Sequence, residues 1–226
     1  MRGTALAVIA RHPTAGTVKT RLALAIGNQR TCALYHAFLR DIDARFRNGR
    51  RTLVWFFDPP DAAFETVVSP GSRCIAQSGE ELGRRLHNCC AHLIGEGFDR
   101  VIIIGADVPH IADACLDEAE EQLDDADIVL GPSADGGYCL IAMRAVHDVF
   151  TGIAMSTNAV LAQTLAKANA LGLRVHLLPE SFDIDEPRDL IRLHRLLNQP
   201  GYDACLPHTR AALTACNDSI ELSAVK

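Results

Sequence analysis

No apolar run in the 226 residues approaches the ~20 needed to span a bilayer, so no membrane segment is expected. The amino terminus, MRGTALAVIARHP, breaks its short apolar stretch at Arg11 and lacks a small-residue cleavage site. It reads as a first strand and not a signal peptide, and a cytoplasmic location is expected. The cysteines Cys32, Cys74, Cys89, Cys90, Cys115, Cys139, Cys205 and Cys216 form no C-x-x-C pair and no zinc-finger spacing, so they read as small buried hydrophobes. There is no basic block and no interleaving of basic with aromatic residues, and the net charge is -6. Nucleic acid is therefore excluded as a partner. Internal repeats and flexible linkers are also missing. A chain of this length buries roughly 70% of its unfolded surface and needs no disulfide to fold.

What is there centres on Val101 to Pro109, VIIIGADVP. An uninterrupted apolar run bounded by glycine and proline predicts a strand buried on both faces, as in a parallel sheet. Asp107 follows at the strand's carboxyl end, the edge where open α/β sheets bind ligands. Its carboxylate is either a turn residue or helix cap, or a metal or ligand contact. Nearer the start, the strand Ala5 to Ala10 runs into the loop Pro13-Thr14-Ala15-Gly16 and then, from Thr17, into good helix formers. Strand, glycine loop and helix in succession make an anion site, because free N–H groups and the helix dipole face the ligand. Lys19 and Arg21 lie in this first turn and either grip phosphate or are solvated cations. The loop matches neither the Walker pattern nor GxGxxG.

Leu34, Phe38, Ile42 and Phe46 recur every four residues and predict an amphipathic helix. Strands are expected at Thr52 to Phe57, more weakly at Arg73 to Gln77, and at Asp127 to Gly131, Tyr138 to Met143 and Arg174 to Leu178. Leu82 to Gly95 and Cys115 to Leu123 read as helices. Asp135-Gly136-Gly137 is a hairpin turn, or a place where paired glycines let a ligand approach while Asp135 hydrogen-bonds it. Ser156-Thr157-Asn158 are expected to cap a helix that closes at Gly172. Asp183 and Asp185 precede a helix started by Pro187, and Asp185 could be its cap. The periodic part of the chain ends at residue 197, and 198–226 reads as an appended segment.

Five stretches resemble, in order, the bacterial DUF2064 transferases of the nucleotide-diphospho-sugar transferase (GT-A) superfamily. They are His12-Pro13-Thr14-Ala15-Gly16-Thr17-Val18-Lys19-Thr20-Arg21-Leu22, Gly79-Glu80-Glu81-Leu82-Gly83-Arg84-Arg85-Leu86, Gly105-Ala106-Asp107-Val108-Pro109, Asp135-Gly136-Gly137-Tyr138, and Asp183 to Leu190. The resemblance implies an α/β fold, a three-layer α/β/α sandwich with a Rossmann-like, mostly parallel sheet, over residues 1–197. It implies that Asp107 and Asp185 hold Mg²⁺ or Mn²⁺, with Asp183 outside them. Gly16, Lys19 and Arg21 would bind the phosphates, and Asp135, Gly136 and Gly137 would line the sugar or acceptor side. Asp107, Lys19 and Asp135 are then the catalytic candidates. Two features depart from the superfamily: Asp107 is followed by Val108 and Pro109 and not by a second aspartate, and PTAGTVKTRL stands where a glycine-rich GxGTR loop is common. Asn158 also replaces an aspartate that often follows Ser-Thr in the family.

The implied partners are a nucleotide or nucleotide-sugar donor and a small-molecule acceptor. Transfer of a sugar from a nucleoside diphosphate is the leading expectation. Nucleotidyl transfer from a triphosphate onto a phosphorylated substrate is the second, and a nucleotide-binding regulator without catalysis the third. No histidine stands out as a general base, and His110, near Asp107, is the one to test.

Overall fold

Side chains in a strand alternate between two faces, and the apolar runs here bury both. In β1 (Thr4–Arg11), Leu6 and Val8 belong to one buried cluster, and Ala5 and Ala7 to another. β4 (Arg100–Gly105) divides likewise, Ile102 and Ile104 against Val101 and Ile103. Strands of this kind require helices on both sides. The computed structural model, which describes residues 2–200 and 206–216, supplies them. Cys205 lies outside the described residues.

One seven-stranded sheet runs in the order β3 (Arg73–Ala76), β2 (Thr52–Asp58), β1, β4, β6 (Tyr138–Met143), β5 (Ile128–Pro132), β7 (Val175–Leu177). β6 is antiparallel to both of its neighbours, and every other pairing is parallel. One face carries α1 (Thr20–Ile26), α2 (Asn28–Phe46), α4 (Asp113–Gln122), α6 (Pro187–Leu197) and α7 (Pro207–Thr214). The other carries α3 (Leu82–Gly95) and α5 (Val160–Ala170). The result is the expected three-layer α/β/α sandwich. β1 leads on to β2 along one flank of the sheet and β4 to β5 along the other, so the carboxyl ends of these two neighbours form the switch point where such sheets bind ligands. Among the described residues no helix is long and apolar enough to cross a membrane.

Three local expectations change. The helix expected from Thr17 starts at Thr20, and Lys19 is its N-cap at φ 48°, ψ 49°, in the left-handed region. Residues 14–17 instead close a turn, Thr17 N–H donating to the Thr14 carbonyl at 3.1 Å, with Gly16 at φ 85°. A left-handed lysine costs about 1–3 kcal/mol, which the contacts of its side chain, described below, offset. Ser156-Thr157-Asn158 do not cap α5, which follows Ala159 without any side-chain cap. The Gly136 carbonyl serves the helix start instead, accepting from Leu161 N–H at 3.0 Å, so the β5–β6 turn and α5 are locked together. Asp185 does not cap α6 either: Glu186 is the N-cap, in a reciprocal capping box with Asp189, and Asp185 is left free for other partners.

Beyond residue 197 the described chain forms α7 against α2. Leu206 and Leu213 are buried there, and Asp41 of α2 accepts from His208 N–H at 3.1 Å and Thr209 N–H at 2.7 Å.

Candidate active site

Four of the sequence candidates meet at the switch point. Lys19 Nζ donates to Asp107 Oδ2 at 2.9 Å and lies 3.6 Å from Asp185 Oδ1. Arg21 Nη1 donates to Asp185 Oδ2 at 2.9 Å. The local sequence makes this possible. The left-handed turn at Lys19 sends its side chain back across the end of β1 toward β4. Gly105 leaves room for the Asp107 carboxylate to fold over the strand end, since a Cβ there would lie 2.2 Å from Asp107 Oδ1. Ile184 N–H donates to the Asp107 carbonyl at 3.1 Å, which draws the 183–185 segment to the end of β4. Asp189 then fixes Asp185 by accepting from its backbone N–H at 3.0 Å and from that of Glu186 at 2.7 Å.

The charges are unevenly matched. Burial opposes the ammonium of Lys19, but the charge and hydrogen bond of Asp107, then Asp185 and Asp183, outweigh it and raise its pKa above the lysine value. Burial likewise opposes the Asp107 carboxylate, and Lys19 outweighs it, so that pKa falls. Asp183 goes the other way. Burial and the neighbouring Asp107 charge raise its pKa, although Ser133 Oγ donates to it at 2.9 Å. The cluster therefore holds more negative charge than its cations neutralise.

A cavity of about 320 Å³ opens beside this cluster. Asp107, Asp183, Asp135 and Gly137 line its polar side, and Leu82, Leu86, Tyr138 and Met155 its apolar side. Asp135 Oδ1 accepts from Gly137 N–H at 2.9 Å, so the DGG stretch is both a hairpin turn and a wall of the cavity. Gly136 does not line it. At φ 89° its missing Cβ would fall 2.2 Å from the Asn158 carbonyl oxygen, so its role is close packing of two backbones. Gly16 shapes the first loop and does not line the cavity either.

The family model for DUF2064, described as an uncharacterized protein conserved in bacteria, matches residues 42–157. The chain belongs to this family. A structure from Desulfovibrio desulfuricans G20, described as a nucleotide-diphospho-sugar transferase, matches at 30% identity with a TM-score of 0.88, covering 96% of this chain and 95% of its own. A cytidylyltransferase from Leptospira borgpetersenii serovar Hardjo-bovis shares 13% identity at a TM-score of 0.57, over 99% of this chain and 98% of its own. A 4-diphosphocytidyl-2C-methyl-D-erythritol synthase shares 17% at 0.55, over 88% and 99%. These last two are likenesses of fold alone. No curated protein matches. The DUF2064 chain is thus a transferase of the nucleotide-diphospho-sugar transferase superfamily.

The residues present fit a hard divalent cation. Among the described residues no three His, Cys, Asp or Glu side chains form a cage, but two carboxylates in a cluster of excess negative charge suit Mg²⁺ or Mn²⁺, which keeps its other positions for water and phosphate oxygens. Several positioning residues were not legible in the DUF2064 sequence. Arg45 of α2 donates to the carbonyls of Pro109 at 2.6 Å and Ile111 at 2.7 Å, which pins the loop after Asp107. Gln77 Nε2 donates to the Ala10 and Phe56 carbonyls at 3.0 and 2.9 Å, tying the ends of β1 and β2. Asp189 alone left a signal, three residues after Glu186 at a proline-started helix. His110 is 4% exposed, and burial above all lowers its pKa to about 4. It faces a different cleft, with Phe182, and does not line the cavity.

Proposed function

We propose that the protein transfers a group from a nucleotide-activated donor whose phosphates lie against Lys19 and Arg21, with Asp107 and Asp185 holding Mg²⁺ or Mn²⁺. The observation that carries this reading is the convergence of Lys19 Nζ on both carboxylates at the switch point. The leading donor is a nucleoside-diphosphate sugar, supported by the 30%-identical relative described as such a transferase. The cation would supply charge neutralisation on the departing phosphate. Lys19 adds a positive charge that is already oriented and largely shielded from water, so it stabilises developing negative charge without reorganising. Arg21 is exposed and reaches the outer phosphate. Asp135 and Gly137 border the sugar and the acceptor, and Asp183, held by Ser133, keeps the edge acidic. A cytoplasmic location belongs to the same reading and is checked by fractionation.

A second reading, nucleotidyl transfer from a triphosphate, is favoured by one feature: the two carboxylates come from separate loops with the lysine between them, and not from one Asp-x-Asp turn. A thermal-shift panel of nucleotide sugars and nucleoside triphosphates, with and without Mn²⁺, separates the two. A ligand at a hundred times its Kd stabilises by about 2.7 kcal/mol, or about 5–10 °C here. Cation-dependent stabilisation by a nucleotide sugar, lost in Asp107→Asn, is the expected result. Stabilisation by triphosphates alone supports nucleotidyl transfer, and no cation-dependent shift with any ligand removes both readings.

A further inference from the structure

Helix α6 carries Arg188, Arg192 and Arg195 at spacings of four and three, which sets them on one stripe leading away from Asp185. Arg188 is engaged by Glu186 at 3.2 Å. Arg192 and Arg195 are exposed and form no ion pair among the described residues. Arg192 instead lies with its guanidinium carbon 4.0 Å from the centroid of Phe182. The same ring packs against His110, tilted by 31°, at a centroid distance of 4.2 Å.

Two clefts meet at these arginines. One, of about 730 Å³, runs from Arg21, Asp183 and Asp185 to Arg192 and Arg195. The other, of about 630 Å³, continues from the two arginines past Phe182 to His110. Of the carboxylates along them, Asp185 is paired with Lys19 and Arg21 and Glu118 with His176 at 3.3 Å, while Asp183 and Asp135, held by Ser133 and Gly137 N–H, keep their charge but line the outer cleft only. Glu180 is the lining acid left against two unengaged guanidiniums. At the inner end of the groove, His110 is 4% exposed, with both ring nitrogens shielded from solvent and the backbone of Phe182 beside it.

We propose that this groove binds the acceptor through an oxyanion, a phosphate or a carboxylate, gripped by Arg192 and Arg195, with His110 behind Phe182 as a reporter of the bound anion. Guanidinium forks suit both anions, and stacking on Phe182 fixes the plane of one fork in advance. That the bound molecule is the acceptor rests on the transferase reading above, because the groove opens at its outer end onto Asp183 and Asp185. The anion site itself does not depend on that reading.

The test uses inorganic phosphate and malonate as probes, titrated at constant ionic strength and followed by the imidazole ¹H–¹⁵N signals of His110 and by calorimetry. Wild type is compared with Arg195→Gln, whose exposed side chain carries little folding risk, with Arg192→Gln/Arg195→Gln, and with Lys19→Met. Saturable binding that shifts His110 is expected, weakened about tenfold in Arg195→Gln and further in the double variant. The tighter probe tells phosphate from carboxylate. Nucleotide binding with Mn²⁺ should survive the arginine variants and fail in Lys19→Met. Anion binding equal in wild type and Arg195→Gln, binding lost only in Lys19→Met, or no saturable binding of either probe overturns the inference. Anion binding that follows the arginines in a protein that binds no nucleotide keeps the site and removes the donor reading.

Discussion

Asp41 and Asp43 on α2 are 0% and 2% exposed, and neutral donors satisfy both. Asp41 takes two backbone N–H groups of α7. Asp43 takes Ser69 N–H at 3.2 Å, Ser72 Oγ at 2.9 Å and the Trp55 indole N–H at 3.3 Å. Asp107, Asp183 and Asp185, at the carboxyl edge of the sheet, are held by Lys19, Arg21 and a single hydroxyl, and they repel one another. Donors fixed by the fold make the α2 pair complete, and the pair fastens α7 and the 69–72 loop to the core. The edge group is held mainly by two side-chain cations and still carries excess negative charge, the condition that suits added positive charge. Burial alone does not separate the α2 carboxylates from those of the candidate site. The kind of donor does.

The comparison breaks most visibly at Asp43. Asp43→Ala strands three donors, one of them on the fully buried Trp55, and should cost about 3 kcal/mol, or about 6–12 °C in Tm. Nucleotide affinity per folded molecule should not change. Calorimetric unfolding checks the first expectation, and titration below Tm the second. A loss of only a degree or two would mean that these acids do not fasten the fold.

This contrast was half legible in the sequence. The strands and helices followed from periodicities set by nearest neighbours, and the α/β/α layers from apolar runs buried on both faces. Lys19, Asp107 and Asp185 could be named because each stands at a recognisable punctuation: a glycine loop, a strand end, a proline-started helix. That Lys19 would leave its helix and bridge both carboxylates could not be read, since it depends on an approach across 88 residues to Asp107. Asp41 and Asp43 left no signal for the opposite reason. They flank Ile42 on an amphipathic helix and resemble a solvated face, while the donors to Asp41 come from 167 and 168 residues away. Gly105 and Gly136 look like ordinary turn glycines until the atoms that approach them are known.

Lys19→Met is the next largest effect. It leaves Asp107 without the bond that lowers its pKa, and should cost about 1–2 kcal/mol at neutral pH. The sign with pH follows from both partners. The depressed pKa of Asp107 contributes stability above its ordinary 3.8, lost as pH falls through the lower folded value. The raised pKa of Lys19 contributes stability present below 10.5, lost as pH rises through the higher folded value. Denaturant curves should therefore give a constant difference between wild type and variant from pH 5 to about 9, shrinking as Asp107 becomes protonated. A difference that grows toward low pH would show that the pair is not what holds the edge.

The smallest effect has the opposite sign. Asp183 is raised above 3.8 by burial and by Asp107, so its charge costs stability at neutral pH, and the cost disappears as pH falls through its folded pKa. Asp183→Asn keeps an oxygen for the Ser133 hydroxyl and removes the repulsion. It should stabilise the protein by about 0.5–1 kcal/mol at pH 7.5 and by nothing near pH 4. On α2, where Asp41 accepts from two backbone N–H groups, Asp41→Asn should destabilise at the same pH. Mn²⁺ with a nucleotide donor sharpens the contrast further: a cation bound by Asp107 and Asp185 would relieve the same repulsion, so the advantage of Asp183→Asn should vanish in its presence. An advantage that persists with the ligands bound would locate the excess charge somewhere other than the proposed cation site.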